Sequence, residues 1–91
     1  MLPEQSRAGR ALLDMSQTDL AQKAGLGLST VVDFEKGRRR VSAEAVAALR
    51  RALQAAGVVL IDPDLDGAGV RLRRTHDEGL RPEELNAEND D

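Results

Sequence analysis

The stretch MSQTDLAQKAGLGLSTVVDFEKGRR, Met15 to Arg39, decides how this chain folds. Ser16 stands before a run with helical character, and its hydroxyl suits the free N–H groups of a first turn. Asp19, three positions on, makes a short capping box, and Met15 and Leu20 hold the staple positions across that start. The spacing predicts a helix over Gln17–Ala24, closed by Gly25, because glycine enters the left-handed region without a Cβ penalty. After Gly27 a second helix is expected over Leu28–Lys36, with Leu26 and Val31 at staple spacing and Gly37 as its stop. The two helices are short and joined by a tight glycine-containing turn. The second runs out into Arg38, Arg39 and Arg40.

Working outward, Pro3 suits the first turn of a helix, where its missing N–H costs nothing, and a helix is predicted over about Pro3–Leu13. On the other side Ser42 caps a fourth helix. Val41 and Val46 form a third staple pair, and Val46, Leu49 and Leu53 recur at three and four. Gly57 ends that helix. Three successive helix starts with the same capping logic support one another. The period then changes. Val58–Ile61 is a short apolar, β-branched run, Asp62–Gly69 is dense in turn formers, and Val70 and Leu72 alternate with Arg71 and Arg73. This reads as a β-hairpin. A lone hairpin is marginal in water, so it must pack on the helical body or on the hairpin of a second copy. The stretch Thr75–Asp91 is polar and acidic. Pro82–Ala87 can form a turn of helix, but most of this tail is expected to be mobile. The organisation expected is a helical domain over 1–57, a hairpin over 58–74 and an acidic tail over 75–91. The core expected is Leu13, Leu20, Ala21, Ala24, Leu26, Val31, Phe34, Val46, Leu49 and Leu53.

Composition narrows the function. The chain has 91 residues and no cysteine, which excludes disulfide and thiolate chemistry. One histidine argues against a structural zinc site, and a surface position in the tail suits His76 better than metal ligation. Asp62, Asp64, Asp66 and Gly67 resemble the start of a calcium loop, but Arg73 stands where the bidentate glutamate belongs. No metal and no cofactor are expected. No run approaches the roughly 20 apolar residues needed to span a bilayer, and the first ten residues lack a signal-peptide core. A reduced, cytoplasmic setting is the expectation. The net charge of −3 conceals a division: residues 1–74 carry 12 Lys and Arg against 9 Asp and Glu, and residues 75–91 carry 1 against 7. A mildly basic body can hold a basic face, and placement matters more than the total for phosphate binding. Phe34 is the sole aromatic residue, which leaves no stacking platform for single-stranded nucleic acid. No nucleophile, base or phosphate loop stands in a catalytic arrangement, and an enzyme is not expected.

The pattern SQxxLAxxxGxxxSTxxxxExG, which begins at Ser16 and ends at Gly37, resembles the helix-turn-helix domain of Cro-repressor/Xre-type, or lambda-repressor-like, regulators of bacteria and phages. The resemblance covers about Arg7–Leu53. It implies a mainly α fold, a four- to five-helix DNA-binding domain, here followed by the short C-terminal hairpin. It implies a helix over 28–36 that enters the major groove of double-stranded DNA. The positions that match base-contacting ones are Leu28, Ser29 and Thr30, with Val32 and Asp33 one turn on. Ser29 and Thr30 can donate or accept, Leu28 can meet a thymine methyl, and Asp33 can accept from a cytosine amino group or pair with an arginine such as Arg38. Leu28 and Val32 also read as plain packed or exposed aliphatics. Many relatives carry Arg, Gln or Asn along this face, and this chain does not.

Gln17 opens a helix whose N-terminus suits a phosphate, and the family's glutamine there bonds one. Arg38, Arg39 and Arg40 are expected on phosphates, with Lys36 and Arg7 as weaker contributors. In the family the residues matching Arg10 and Glu35 form a partly buried structural ion pair. A homodimer on an inverted-repeat operator is expected, with the strand Val58, Val59, Leu60 and Ile61 as the candidate dimer element. The alternative is an antitoxin-like or other protein-interaction module. Its acidic tail would hold a partner protein, or would compete with DNA for the basic face.

Overall fold

The computed structural model describes residues 1–73. The acidic tail expected over 75–91, with His76, lies outside the described residues. Four helices precede a hairpin: α1 (Pro3–Leu13), α2 (Gln17–Ala24), α3 (Leu28–Lys36), α4 (Ala43–Ala55), β1 (Val58–Ile61) and β2 (Gly69–Leu72). The described residues form a mainly helical fold, with four helices and a two-stranded antiparallel sheet.

The helix starts follow their capping residues. Ser16 Oγ accepts from the Asp19 N–H at 2.9 Å, and Ser42 Oγ accepts from the Ala45 N–H at 3.1 Å. α1 has no hydroxyl cap. There the side-chain carbonyl of Gln5 reaches back to accept from the Leu2 N–H at 2.8 Å. α2 and α3 stop at Gly25 and Gly37, both left-handed with φ near +70°. α1 stops without a glycine: Asp14 takes the left-handed conformation itself, at φ 56° and ψ 42°. Short polar side chains bear that region better than others do.

Leu20, Val31, Leu49, Leu53 and Val58 are fully buried at the centre, with Ala21, Phe34, Ala52 and Leu60 around them. Leu13, Ala24, Leu26 and Val46 pack on the edge of that cluster. The helical body and the hairpin therefore share one core. In the hairpin Val58 faces Leu72, Val59 faces Arg71, Leu60 faces Val70 and Ile61 faces Gly69. Opposed residues point to the same side of a sheet, so Val58 and Leu60 turn inward together and Val59 and Ile61 turn out. Val58 is 0% and Leu60 7% exposed inside their own subunit, and their side chains are not free to meet a partner. The hairpin satisfies its apolar face on the helical body, the first of the two solutions open to it.

Two contacts at α1 hold this arrangement. Gly9 is buried where α1 crosses α4 and β1. A Cβ built on it would lie 3.4 Å from Leu53 and 3.5 Å from Val58. Gln5 is buried too, and its side-chain amide donates to the backbone carbonyls of Ile61 at 2.9 Å and Gly69 at 3.1 Å. One glutamine thus caps its own helix start and ties that helix to the loop end of the hairpin.

Candidate nucleic-acid interface

α3 has two unlike faces. Val31, Phe34 and Glu35 are buried. Leu28 is 46% exposed, Ser29 is exposed, and Thr30, Val32 and Asp33 are half-buried. Helical spacing explains the split: 31, 34 and 35 recur at three and four and face the core, while 28, 29, 32 and 33 share the opposite side. Gly27 precedes α3 without a side chain that could cap it, so its first N–H groups stay open beside Leu28 and Ser29.

The position of α3 is fixed through Glu35, a carboxylate only 1% exposed. Arg10 grips it with two donors, Nε to Oε2 at 2.9 Å and Nη2 to Oε1 at 2.6 Å. Ser6 Oγ donates to Oε2 at 2.5 Å, and Gln17 Nε2 donates to Oε1 at 3.0 Å. Arg10 also donates to the Met15 carbonyl at 3.2 Å, and Arg7 donates to the backbone carbonyl of Glu35. One side chain of α3 is therefore bound to two residues of α1 and to the first residue of α2. Burial pushes the Glu35 carboxyl pKa up. Hydrogen bonds from Arg10, Ser6 and Gln17, with the charge of Arg10, outweigh that and hold it below the ordinary carboxylate range.

The residues expected on phosphates divide into two groups. Lys36, the last residue of α3, is exposed, and so are Arg38, Arg39 and Arg40 just past it. Gln17 and Arg7 are committed in part to Glu35, on the seam where α1 and α2 meet α3. Asp33 is not alone on its face. Its Oδ2 receives Arg39 Nε at 2.8 Å, and Arg38 Nη1 stands 3.9 Å from its Oδ1. Arg39 Nη1 also reaches the Arg40 carbonyl at 3.4 Å.

Sequence reasoning placed Arg10 and Glu35 in one pair and the structure brings them together, but it missed Ser6, Gln5 and the backbone link from Arg7. A signal for Ser6 exists. It stands four residues before Arg10, on the same face of α1. Gln5 gives none, because its partners are backbone carbonyls of a distant hairpin.

Two short helices set by a buried ion-pair network, the second with exposed N-terminal side chains at one end and exposed arginines just past the other, define a helix-turn-helix domain of the DNA-binding class. The chain belongs to the Xre or lambda-repressor-like helix-turn-helix family of transcription regulators, whose family model, described as helix-turn-helix, matches residues 7–56, more than half of the chain. That family is typically without enzymatic activity. A search of curated proteins returned no match. Among the described residues no helix is long and apolar enough to cross a membrane.

Proposed function

We propose that this protein is a sequence-specific regulator that binds double-stranded DNA as a homodimer on an inverted-repeat operator, with α3 of each subunit in a major groove. The observation that carries this reading is the division of α3: its inner face is locked by Glu35 while Leu28 and Ser29 stand exposed at its N-terminal end, with Thr30 half-buried beside them. Ser29 and Thr30 read base edges or adjoining phosphates, and Leu28 meets a thymine methyl. Arg38, Arg39 and Arg40, with Lys36, supply the charge that any DNA sequence can use. Gln17 and Arg7 lie on the seam beside α3 and give phosphates a second anchoring point while they hold Glu35. Two copies then meet through the outer side of the hairpin, where Val59 and Ile61 are only half-buried and a two-stranded sheet has free edges.

A selection from a pool of randomised duplexes tests this, followed by titration of the enriched duplex against a scrambled one of equal length at several salt concentrations. The expected result is an inverted repeat with half-site centres about one helical turn, roughly 34 Å, apart. Preference for it over the scrambled duplex should reach about a thousandfold or more. Failure of the full chain to enrich any sequence overturns the reading.

A further inference from the structure

Asp33 is an odd residue for a face that meets a polyanion. It is the only acidic side chain on the outward side of α3, and it is 22% exposed. A carboxylate there repels phosphates, so its presence needs a compensating partner. The structure supplies one. Arg39 bonds it through Nε at 2.8 Å, and Arg38 stands behind at 3.9 Å. These are two of the three arginines best placed to bind the DNA backbone. Both stay more than half exposed, at 52% for Arg39 and 59% for Arg38, so neither is buried with its counter-ion. The pair is one that another anion can open.

The geometry points to Asp33 as the specificity-setting residue of this interface, acting by exchange of partners. The inference rests on the DNA-binding reading above. In the free protein Asp33 occupies the guanidinium that a phosphate would otherwise take. On any duplex the phosphates draw Arg39 and Arg38 away, which leaves the carboxylate facing the groove. Where a base there presents an amino group, cytosine N4 or adenine N6, Asp33 accepts from it and the exchange is complete. Where the base presents only acceptors, as guanine does with O6 and N7, the carboxylate is stranded against lone pairs. Sequence preference is then gained chiefly by penalising wrong sites, which fits a recognition face with no Arg, Gln or Asn on it.

The discriminating variant is Asp33→Asn. It keeps the shape, removes the charge, and leaves an amide that both donates and accepts, and so tolerates either kind of base edge. Full-chain protein and variant are each titrated against a random-sequence duplex over a range of salt, and each is used to select from a randomised pool. The expected result is tighter binding of the random duplex by Asp33→Asn, by about three- to tenfold, because the arginines no longer leave a carboxylate to reach phosphate and no charge is stranded in the groove. The selected site loses its preference at one position per half-site, a position at which the native chain requires cytosine or adenine on the contacted strand. Arg39→Ala provides the control, because it removes the phosphate partner and weakens binding of the random duplex. Unchanged or weaker binding of the random duplex by Asp33→Asn overturns the inference, and so does an unaltered selected site. If the native chain enriches no sequence at all, it is the DNA-binding reading that has failed.

Discussion

Glu35 concentrates more of this molecule's polar bonding than any other described side chain, and its energetics follow from burial. Removing its charge strands the Arg10 guanidinium beside a nearly inaccessible pocket, a loss of about 3 kcal/mol or more for a broken buried pair. Glu35→Gln should therefore lower the urea midpoint sharply at pH 7. The pH dependence has a definite sign. A carboxylate whose folded pKa is lowered stabilises fully above its unfolded value and loses that contribution as pH falls through the folded one. Native protein should lose stability on acidification through and below the ordinary carboxylate range, and Glu35→Gln should show a flatter profile there. Parallel profiles would mean that Glu35 is not the titrating group that matters. At the surface the arithmetic differs. Replacing Arg38 and Arg39 with Ala should cost little stability, but it should weaken binding to every duplex and reduce the salt slope by about one to two. An unchanged slope would remove both from the phosphate-binding set. Asp14, left-handed without being glycine, is strained at φ 56°. Asp14→Gly should stabilise by about 0.5–1 kcal/mol, read as a rise in Tm of a few degrees.

The helices were legible because their ends are written in local chemistry. Ser16, Ser42, Gly25 and Gly37 each act within one turn of their own position, and each stands where the sequence places it. The strands were legible by their change of period. What the sequence left open was the direction in which the hairpin faces, because Val58, Val59, Leu60 and Ile61 are all apolar and alternation gives no inward side. Only the docking of β1 on α4 and α1 decides it. Gly9 was silent for a related reason: a small residue within a helix shows its purpose only once the crossing element is known. Its surroundings yield a prediction. A Cβ there meets Leu53 and Val58 at 3.4 Å and beyond, an ordinary contact distance. Gly9→Ala should then gain about 0.5–1 kcal/mol of helix propensity with no clash, whereas Gly9→Leu should destabilise. A marked loss in the alanine variant by thermal melting would show that α1 packs more tightly than these distances allow. At the candidate interface Arg10 and Glu35 were legible through the resemblance, and Asp33's arginine partner was named only as Arg38. Arg39, six residues on and past the helix end, makes the shorter bond.

At the scale of the whole molecule, the family match ends at residue 56 while the core continues through Val58 and Leu60. The helix-turn-helix of this chain is thus incomplete without its hairpin. Leu60→Ala should destabilise by about 2–4 kcal/mol and weaken DNA binding only through the loss of folded protein, a distinction that denaturation followed beside binding can make. The same buried strand narrows the proposed dimer surface to the outer side of the hairpin. Val59→Arg, on the outer side, should shift sedimentation from dimer toward monomer without lowering the melting temperature of the monomer. The tie made by Gln5 has a consequence in time. Its amide bonds carbonyls 56 and 64 residues further along the chain. During synthesis α1 emerges before α2, α3 and α4 yet is the last of them to find all its partners, waiting until the return strand has left the ribosome. Refolding should accordingly be limited by closure of this longest loop, with amide protons of α1 acquiring protection alongside those of β2 and after those of α2 and α3.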